Sequence, residues 1–135
     1  METTLVIIKP DAVRRGLVGE IVRRLEDKGL TLVQGRLFTI DAELAHRHYA
    51  EHNEKPFFAD LIDFITSGPV LVLAVRGPKA VQVVRTLMGP TNPLEAPPGT
   101  IRGDFGNEIT QNLIHGSDSV ESAERELALY FPEAK

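Results

Sequence analysis

Leu5-Val6-Ile7-Ile8-Lys9-Pro10-Asp11 sets four consecutive apolar residues against a cation, a proline and an acid. An apolar run of this length with no alternation reads as a buried strand with a polar end. Working outward, Ile21, Val22 and Leu25 fall at helical spacing, with Arg23, Arg24, Glu26 and Asp27 on the other side and Gly29 as the stop. Residues 30–40 follow as a β-rich segment with Gly35 as its expected bulge. Helices are expected over 42–51 and 57–66, parted by Asn53-Glu54-Lys55-Pro56. Residues 69–76 form another apolar strand, and Pro78 should open a helix that runs to Met88.

Then the periodicity stops. Residues 89–111 carry four of the nine prolines (Pro90, Pro93, Pro97 and Pro98), and a loop this long inside a compact domain is usually functional. A short strand at 113–115 and a helix over 120–130, with Val120, Ala123 and Leu127 as its apolar stripe, complete the chain. This order suits an α/β (α+β) fold of the ferredoxin-like split βαβ type. It implies a four-stranded antiparallel sheet with helices over one face. With no repeat and no linker, residues 1–135 read as one domain.

Composition narrows the function classes. The chain has 135 residues, 42% hydrophobic and 25% charged, with a net charge of −4. That balance weighs against nucleic acid as a primary partner, and an anionic substrate would need a local basic cluster. There is no cysteine, so disulfides, thiolate zinc sites and cysteine nucleophiles are ruled out. Met1-Glu2-Thr3-Thr4 lacks the features of a signal peptide, and the longest apolar run, 70–75, is too short for a bilayer. A cytoplasmic protein with no membrane partner is expected.

Four histidines are available: His46, His48, His52 and His115. The first three fall in one expected helix. His48 and His52 are spaced i,i+4, but no third metal ligand accompanies them, so they read as solvated, with His52 kept as a polar neighbour of a substrate. His115 ends a short apolar stretch just after the long loop and precedes Gly116-Ser117-Asp118-Ser119. A strand end opening into a helix N-terminus commonly presents reactive groups and receives phosphates. Local sequence leaves two readings open, a reactive imidazole or one simply packed and hydrogen-bonded. Likewise Asp118 and Glu121 are spaced as a capping box for the last helix.

Glu126 borders that helix's apolar stripe, where a carboxylate can fix an imidazole tautomer. Lys9, Arg85 and Arg102 sit at structurally punctuated places and suit phosphate oxygens if they converge. Asp104-Phe105-Gly106 matches a protein-kinase metal motif, but the companion kinase motifs are missing, and there is no P-loop.

Asn112-Leu113-Ile114-His115-Gly116-Ser117-Asp118 resembles the active-site signature of nucleoside diphosphate kinases. The resemblance continues in the same order through Lys9-Pro10-Asp11, the stretch from Arg14 to Glu20, His48-Tyr49, Lys55-Pro56-Phe57-Phe58 and Ser67-Gly68-Pro69. Gly89-Pro90-Thr91-Asn92-Pro93 and the stretch from Pro98 to Asp104 complete it, over essentially the whole chain.

It implies γ-phosphate transfer between nucleoside tri- and diphosphates by a ping-pong route through a phosphohistidine at His115. It further implies that Glu126 orients His115, that Ser117 supports Glu126, and that Lys9 and Tyr49 lie near the transferred group. Arg85, Thr91 and Arg102 would hold the distal phosphates, with His52 close by. Asn112 and Lys9 would contact the sugar, and Phe57, Ile109 and Leu61 the base. Mg²⁺ is implied as a cofactor carried mainly by the nucleotide phosphates rather than by protein ligands. A homo-oligomer, tetramer or hexamer, is also implied. Gln111, where many members carry Arg, Ala12, where many carry Gly, and the doubled Pro97-Pro98 depart from the family pattern.

Overall fold

A computed structural model describes residues 1–50 and 56–132. Of the expected break at 53–56, only Pro56, in a turn, falls among the described residues. Four strands, β1 (Glu2–Ile8), β2 (Thr31–Phe38), β3 (Val70–Gly77) and β4 (Ile114–Gly116), form one sheet in the order β2-β3-β1-β4. Every pairing is antiparallel. The helices are α1 (Pro10–Arg14), α2 (Val18–Asp27), α3 (Ala42–His48), α4 (Phe58–Ile65), α5 (Ala80–Met88), α6 (Ile101–Phe105) and α7 (Val120–Tyr130). This is the ferredoxin-like arrangement. None of these helices is long and apolar enough to cross a membrane.

Helices cover both faces of the sheet, not one. The cause is visible in β1, where Val6 and Ile8 join a core with Ile21 and Leu25 of α2 and Val84 and Met88 of α5. Leu5 and Ile7 point the other way, into a second core with Ala45 of α3, Ile62 and Ile65 of α4, and Tyr130 of α7. All four residues are fully buried, so neither face of the strand can alternate with polar residues.

Three local expectations are corrected. The irregularity in β2 falls between Leu32 and Gln34, leaving Val33 as the extra residue, whereas Gly35 pairs regularly with Leu73. Gly35 answers to space instead, since a Cβ there would stand 3.2 Å from Leu73 Cδ2. Helix α5 begins at Ala80 rather than Pro78, because Lys79 takes a left-handed conformation with φ 51°. The carboxylate of Glu2 then accepts the Val81 N–H at 3.2 Å, supplying a cap from β1.

On α7 the cap is Ser119, whose hydroxyl accepts the Ser122 N–H at 3.0 Å, rather than the spaced pair Asp118 and Glu121. Its inward face is Ala123, Glu126 and Tyr130, with Val120 half exposed and Leu127 partly buried. One inward position is thus a carboxylate.

The proline-rich stretch holds more structure than periodicity can reveal. Asn92 accepts the Leu94 N–H at the start of a single 3-10 turn, Pro93–Glu95. Thr100 accepts the Gly103 N–H at 3.0 Å to start α6, which buries Ile101 and Arg102. Five residues are too few for a repeating apolar stripe to emerge.

Candidate active site

The register of the sheet aims His115. It lies opposite Ile7 in the β1–β4 ladder, so its side chain leaves the sheet on the Ile7 face, toward α3 and α7. Its neighbours Ile114 and Gly116 face α5 instead. A Cβ on Gly116 would meet Met88 Sδ at 2.6 Å and Val84 Cγ1 at 2.8 Å, so only glycine lets α5 lie this close to β4. The close approach that Gly116 permits is thus to a helix.

On the α7 side, His115 Nε2 and Glu126 Oε1 are 2.8 Å apart. The same carboxylate oxygen accepts the Ser117 hydroxyl at 2.8 Å, and the Leu5 N–H donates to Ser117 Oγ at 3.3 Å. Burial alone would raise the Glu126 carboxyl. The bond to His115, the charge of that ring and the Ser117 hydroxyl outweigh it and hold Glu126 below its usual range. A carboxylate therefore accepts the Nε2 proton. That fixes the tautomer, and among the described residues Nδ1 has no hydrogen-bond partner.

On the α3 side stands a residue that sequence reasoning read as solvated. His48 is buried, its ring edge-on to His115 with centroids 4.7 Å apart, and its Nδ1 lies 3.2 Å from the Tyr130 hydroxyl. Burial, with the His115 charge beside it, pushes His48 down to about 3, so it is a neutral imidazole. The only signal available in sequence was its place on the same helical face as Ala45 and Leu44, which are buried and partly buried, obscured by flanking His46 and Arg47. Tyr49 follows it, pushed up to about 12 by burial and so kept as a phenol.

A second polar cluster ties Lys9, just after β1, to the residues before β4. Lys9 Nζ donates to Asn112 Oδ1 at 2.7 Å, and Asn112 Nδ2 donates to the Thr91 carbonyl at 3.1 Å. Arg102 donates to the carbonyls of Asn112 at 3.2 Å, Gly89 at 3.0 Å and Ile114 at 2.6 Å. These bonds use three of its five N–H donors and leave two for another acceptor. Arg85 donates to the Gly116 carbonyl at 3.3 Å from α5.

Two cations in one buried place repel. Burial first, then Arg102, lowers Lys9 to about 7, against a smaller upward pull from Asp11. Burial and Arg85 bring Arg102 down to about 10. Such a cluster is set to receive negative charge.

The Lys9 shift carries a stability consequence. Between about 7 and the unfolded value of 10.5 the unfolded chain holds a proton that folded Lys9 has lost. The ligand-free protein should therefore gain stability as pH rises through that window. Thermal melts from pH 7 to 9 should show the gain, and Lys9→Met should flatten it. An unchanged slope in that variant would remove Lys9 as its source.

These groups line one cavity of about 540 Å³. His115, Glu126, Lys9 and Tyr49 share it with Arg85, Thr91, Arg102 and Asn112. Phe57, Leu61 and Ile109 line the same cavity, Phe57 and Ile109 being 46% and 56% exposed. Ser117 lies behind Glu126, off the cavity wall. His52 lies outside the described residues. Arg125, Asp118 and Ser122 also reach the wall, and sequence reasoning singled out none of them as a cavity residue.

For a metal, the one group of potential ligands among the described residues is His48, His115 and Glu126, within 4.8 Å of one another. Two nitrogens and a committed carboxylate do not suit magnesium, which takes oxygen ligands in octahedral geometry.

Comparison with known proteins agrees with this geometry. The family profile described as nucleoside diphosphate kinase matches residues 2–135. A Mycobacterium avium protein named nucleoside diphosphate kinase is 62% identical over 134 residues, covering 98% of each chain. One of that name from Archaeoglobus fulgidus is 59% identical over 131 residues, 97% of this chain and 87% of the relative. Among solved structures, the halophilic nucleoside diphosphate kinase of Halobacterium salinarum in complex with CDP superposes with a TM-score of 0.94 at 57% identity. It covers 96% of this chain and 87% of its own.

Proposed function

The chain belongs to the nucleoside diphosphate kinase family and is a phosphotransferase, and from that premise we propose that it works by a ping-pong route with Nδ1 of His115 as the phosphoryl carrier. The observation that carries this reading is the 2.8 Å contact of His115 Nε2 with Glu126. It puts the proton on Nε2 and the lone pair on Nδ1. In the first half-reaction Nδ1 attacks the γ-phosphorus of a nucleoside triphosphate, the bond to the bridging oxygen breaks, and the diphosphate departs with that electron pair. In the second, a terminal oxygen of another diphosphate attacks the same phosphorus and the N–P bond breaks. Glu126 stabilises the positive charge that the ring acquires, and Ser117 holds Glu126.

Phosphoryl transfer asks a protein mainly for position and charge. Arg85, Arg102 and Thr91 hold the distal phosphates in this reading, while Lys9 and Tyr49 stand at the transferred group. Lys9 and Asn112 meet the sugar hydroxyls. Magnesium enters as a partner carried on the phosphate oxygens of the substrate, where it neutralises charge; the cavity's own donor set argues against a protein-held ion. A bound phosphate chain raises Lys9 again, so nucleotide affinity should weaken as pH rises above about 7.

Phe57 and Ile109 face the base as an apolar clamp, which makes few hydrogen bonds and accepts any base. The CDP held by the Halobacterium salinarum relative is in keeping with a diphosphate occupant here. Phe57→Ala should cost about 1–3 kcal/mol in nucleotide affinity without creating a base preference. Calorimetric titration with ADP, GDP, CDP and UDP checks it, and a new preference would mean that other groups read the base.

A homo-oligomer, tetramer or hexamer, belongs to the same reading. Leu37 on edge strand β2 and Leu94 in the 3-10 turn are 67% and 76% exposed, as surfaces covered by another subunit would be. A cytoplasmic place accords with the absence of cysteine.

The deciding experiment mixes the protein with γ-labelled ATP and no acceptor. Acid-labile, alkali-stable label on His115, chased by GDP or CDP into the matching triphosphate, is the expected result. No label while ATP binds would point to direct transfer or to a nucleotide-binding relative without the reaction.

A further inference from the structure

Arg125 reaches the cavity wall, yet the mechanism above gives it no part. It precedes Glu126 on α7, and its guanidinium lies across the end of α3. Nη1 donates to the Arg47 carbonyl at 3.2 Å and Nη2 to the His48 carbonyl at 3.4 Å. The last carbonyls of an α-helix have no partner within it and carry the negative end of its dipole, so a cation is well placed there. Nη2 also stands 3.7 Å from Oε2 of Glu126. Nε is enclosed and has no hydrogen-bond partner among the described residues, a cost that an arginine turned out to water would avoid.

What the placement gains is a hold on both neighbours of the His115 ring. Glu126 is the first. Its Oε1 serves His115 Nε2 and the Ser117 hydroxyl, and its Oε2 is the oxygen that Arg125 faces. The carboxylate therefore has partners at both oxygens and cannot turn without leaving one of them.

His48 is the second neighbour. Its ring stands edge-on to that of His115 with centroids 4.7 Å apart. Its Nδ1 meets the Tyr130 hydroxyl, and its carbonyl accepts from Arg125. Both contacts join α3 to α7. Tyr130 sets the angle of the His48 ring, while Arg125 sets where its backbone stands.

We propose that Arg125 is a positioning residue that clamps the end of α3 to α7, and so holds Glu126 and His48 about the His115 imidazole with Nδ1 free to attack. The proposal rests on the phosphohistidine reading given above. A planar guanidinium suits the task, because its fork spans two carbonyls where an ammonium on a flexible stem reaches one at a time. Without the fork the end of α3 and α7 can part. The His115 ring then gains room to turn about its Cβ–Cγ bond, which carries Nε2 away from Glu126 and Nδ1 away from its line of attack. The cations read as holding the phosphates lie on α5, on α6 and after β1, away from this junction.

The test uses the whole chain with Arg125→Met, which keeps the apolar stem and removes the fork, and Arg125→Lys as a second variant should the first not fold. The rate at which γ-labelled ATP labels the protein in a single turnover is measured, with ADP affinity by calorimetry and the nitrogen chemical shifts of His115 on the same samples. Labelling should slow about tenfold while ADP affinity stays within about twofold of the parent. The His115 shifts should move toward a mixture of the two tautomers.

A lower melting temperature with labelling rate and shifts unchanged would make the clamp a matter of stability alone and overturn the proposal. So would slowed labelling with unchanged shifts. ADP affinity falling as far as the rate would make Arg125 a nucleotide contact instead. If the parent protein binds ATP but takes no label, the phosphohistidine reading fails, and the His115 shifts alone decide whether Arg125 holds the ring.

Discussion

Replacing His115 with alanine should lower phosphoryl transfer by at least ~10⁴-fold, the order seen when a covalent nucleophile is lost from an enzyme whose binding apparatus survives. The argument is structural as well as chemical. Among the described residues, no other group on the cavity wall combines a lone pair, a buried carboxylate behind it and a second hydrogen bond behind that. His48 is the nearest imidazole, but its Nδ1 is engaged with Tyr130 and its ring is buried. Nucleotide affinity should change little, since the cations and Asn112 are untouched. Coupled turnover assays with separate ADP titration check both halves. Turnover within tenfold of the parent would end the covalent mechanism.

Glu126→Gln has the next largest expected effect, about 10³-fold on turnover, with binding preserved. The change keeps shape and removes charge, and its harm comes through the proton. A glutamine amide can donate to Nε2, which favours the tautomer with the proton on Nδ1, the atom that must attack. The analogous loss of an orienting carboxylate costs ~10⁴ in serine proteases. The Ser117 hydroxyl, which meets that same Oε1 position, can turn to accept from the amide nitrogen, so geometry is retained while chemistry is lost. Nitrogen chemical shifts of His115 would report the tautomer directly. Full activity with an unchanged tautomer would assign Glu126 to packing alone.

The main elements of the fold could be read because their signals are local. The run Leu5 to Ile8 announces a buried strand by itself, and α2 announces an amphipathic helix through Ile21 and Leu25. What escaped depended on partners distant in sequence. Nothing near Val33 says that it, rather than Gly35, is the unpaired residue. The start of α5 depends on Glu2, 79 positions earlier in the chain. The second helical layer was implicit in the lack of alternation along β1, but confirming it required both cores.

The candidate site divides in the same way. The resemblance supplied its residue types, and the structure brings them to one cavity, with Ser117 behind Glu126 off its wall and His52 outside the described residues. Residue chemistry alone could not disclose His48, because burial and the contact with His115 arise from packing α3 against α7. It was equally silent on the conformation of Leu113, where an ordinary leucine occupies a backbone state, φ 78°, that glycine would find easier.

The cavity's groups come from opposite ends of the chain, Lys9 from the exit of the first strand and Glu126 from the last helix. In refolding, α2 and α5 can form early from neighbouring residues, whereas the contact of Glu126 with His115 waits for β4 to add beside β1 and for α7 to dock. Enzymatic activity should therefore be among the last signals to return after dilution from denaturant, lagging far-ultraviolet dichroism.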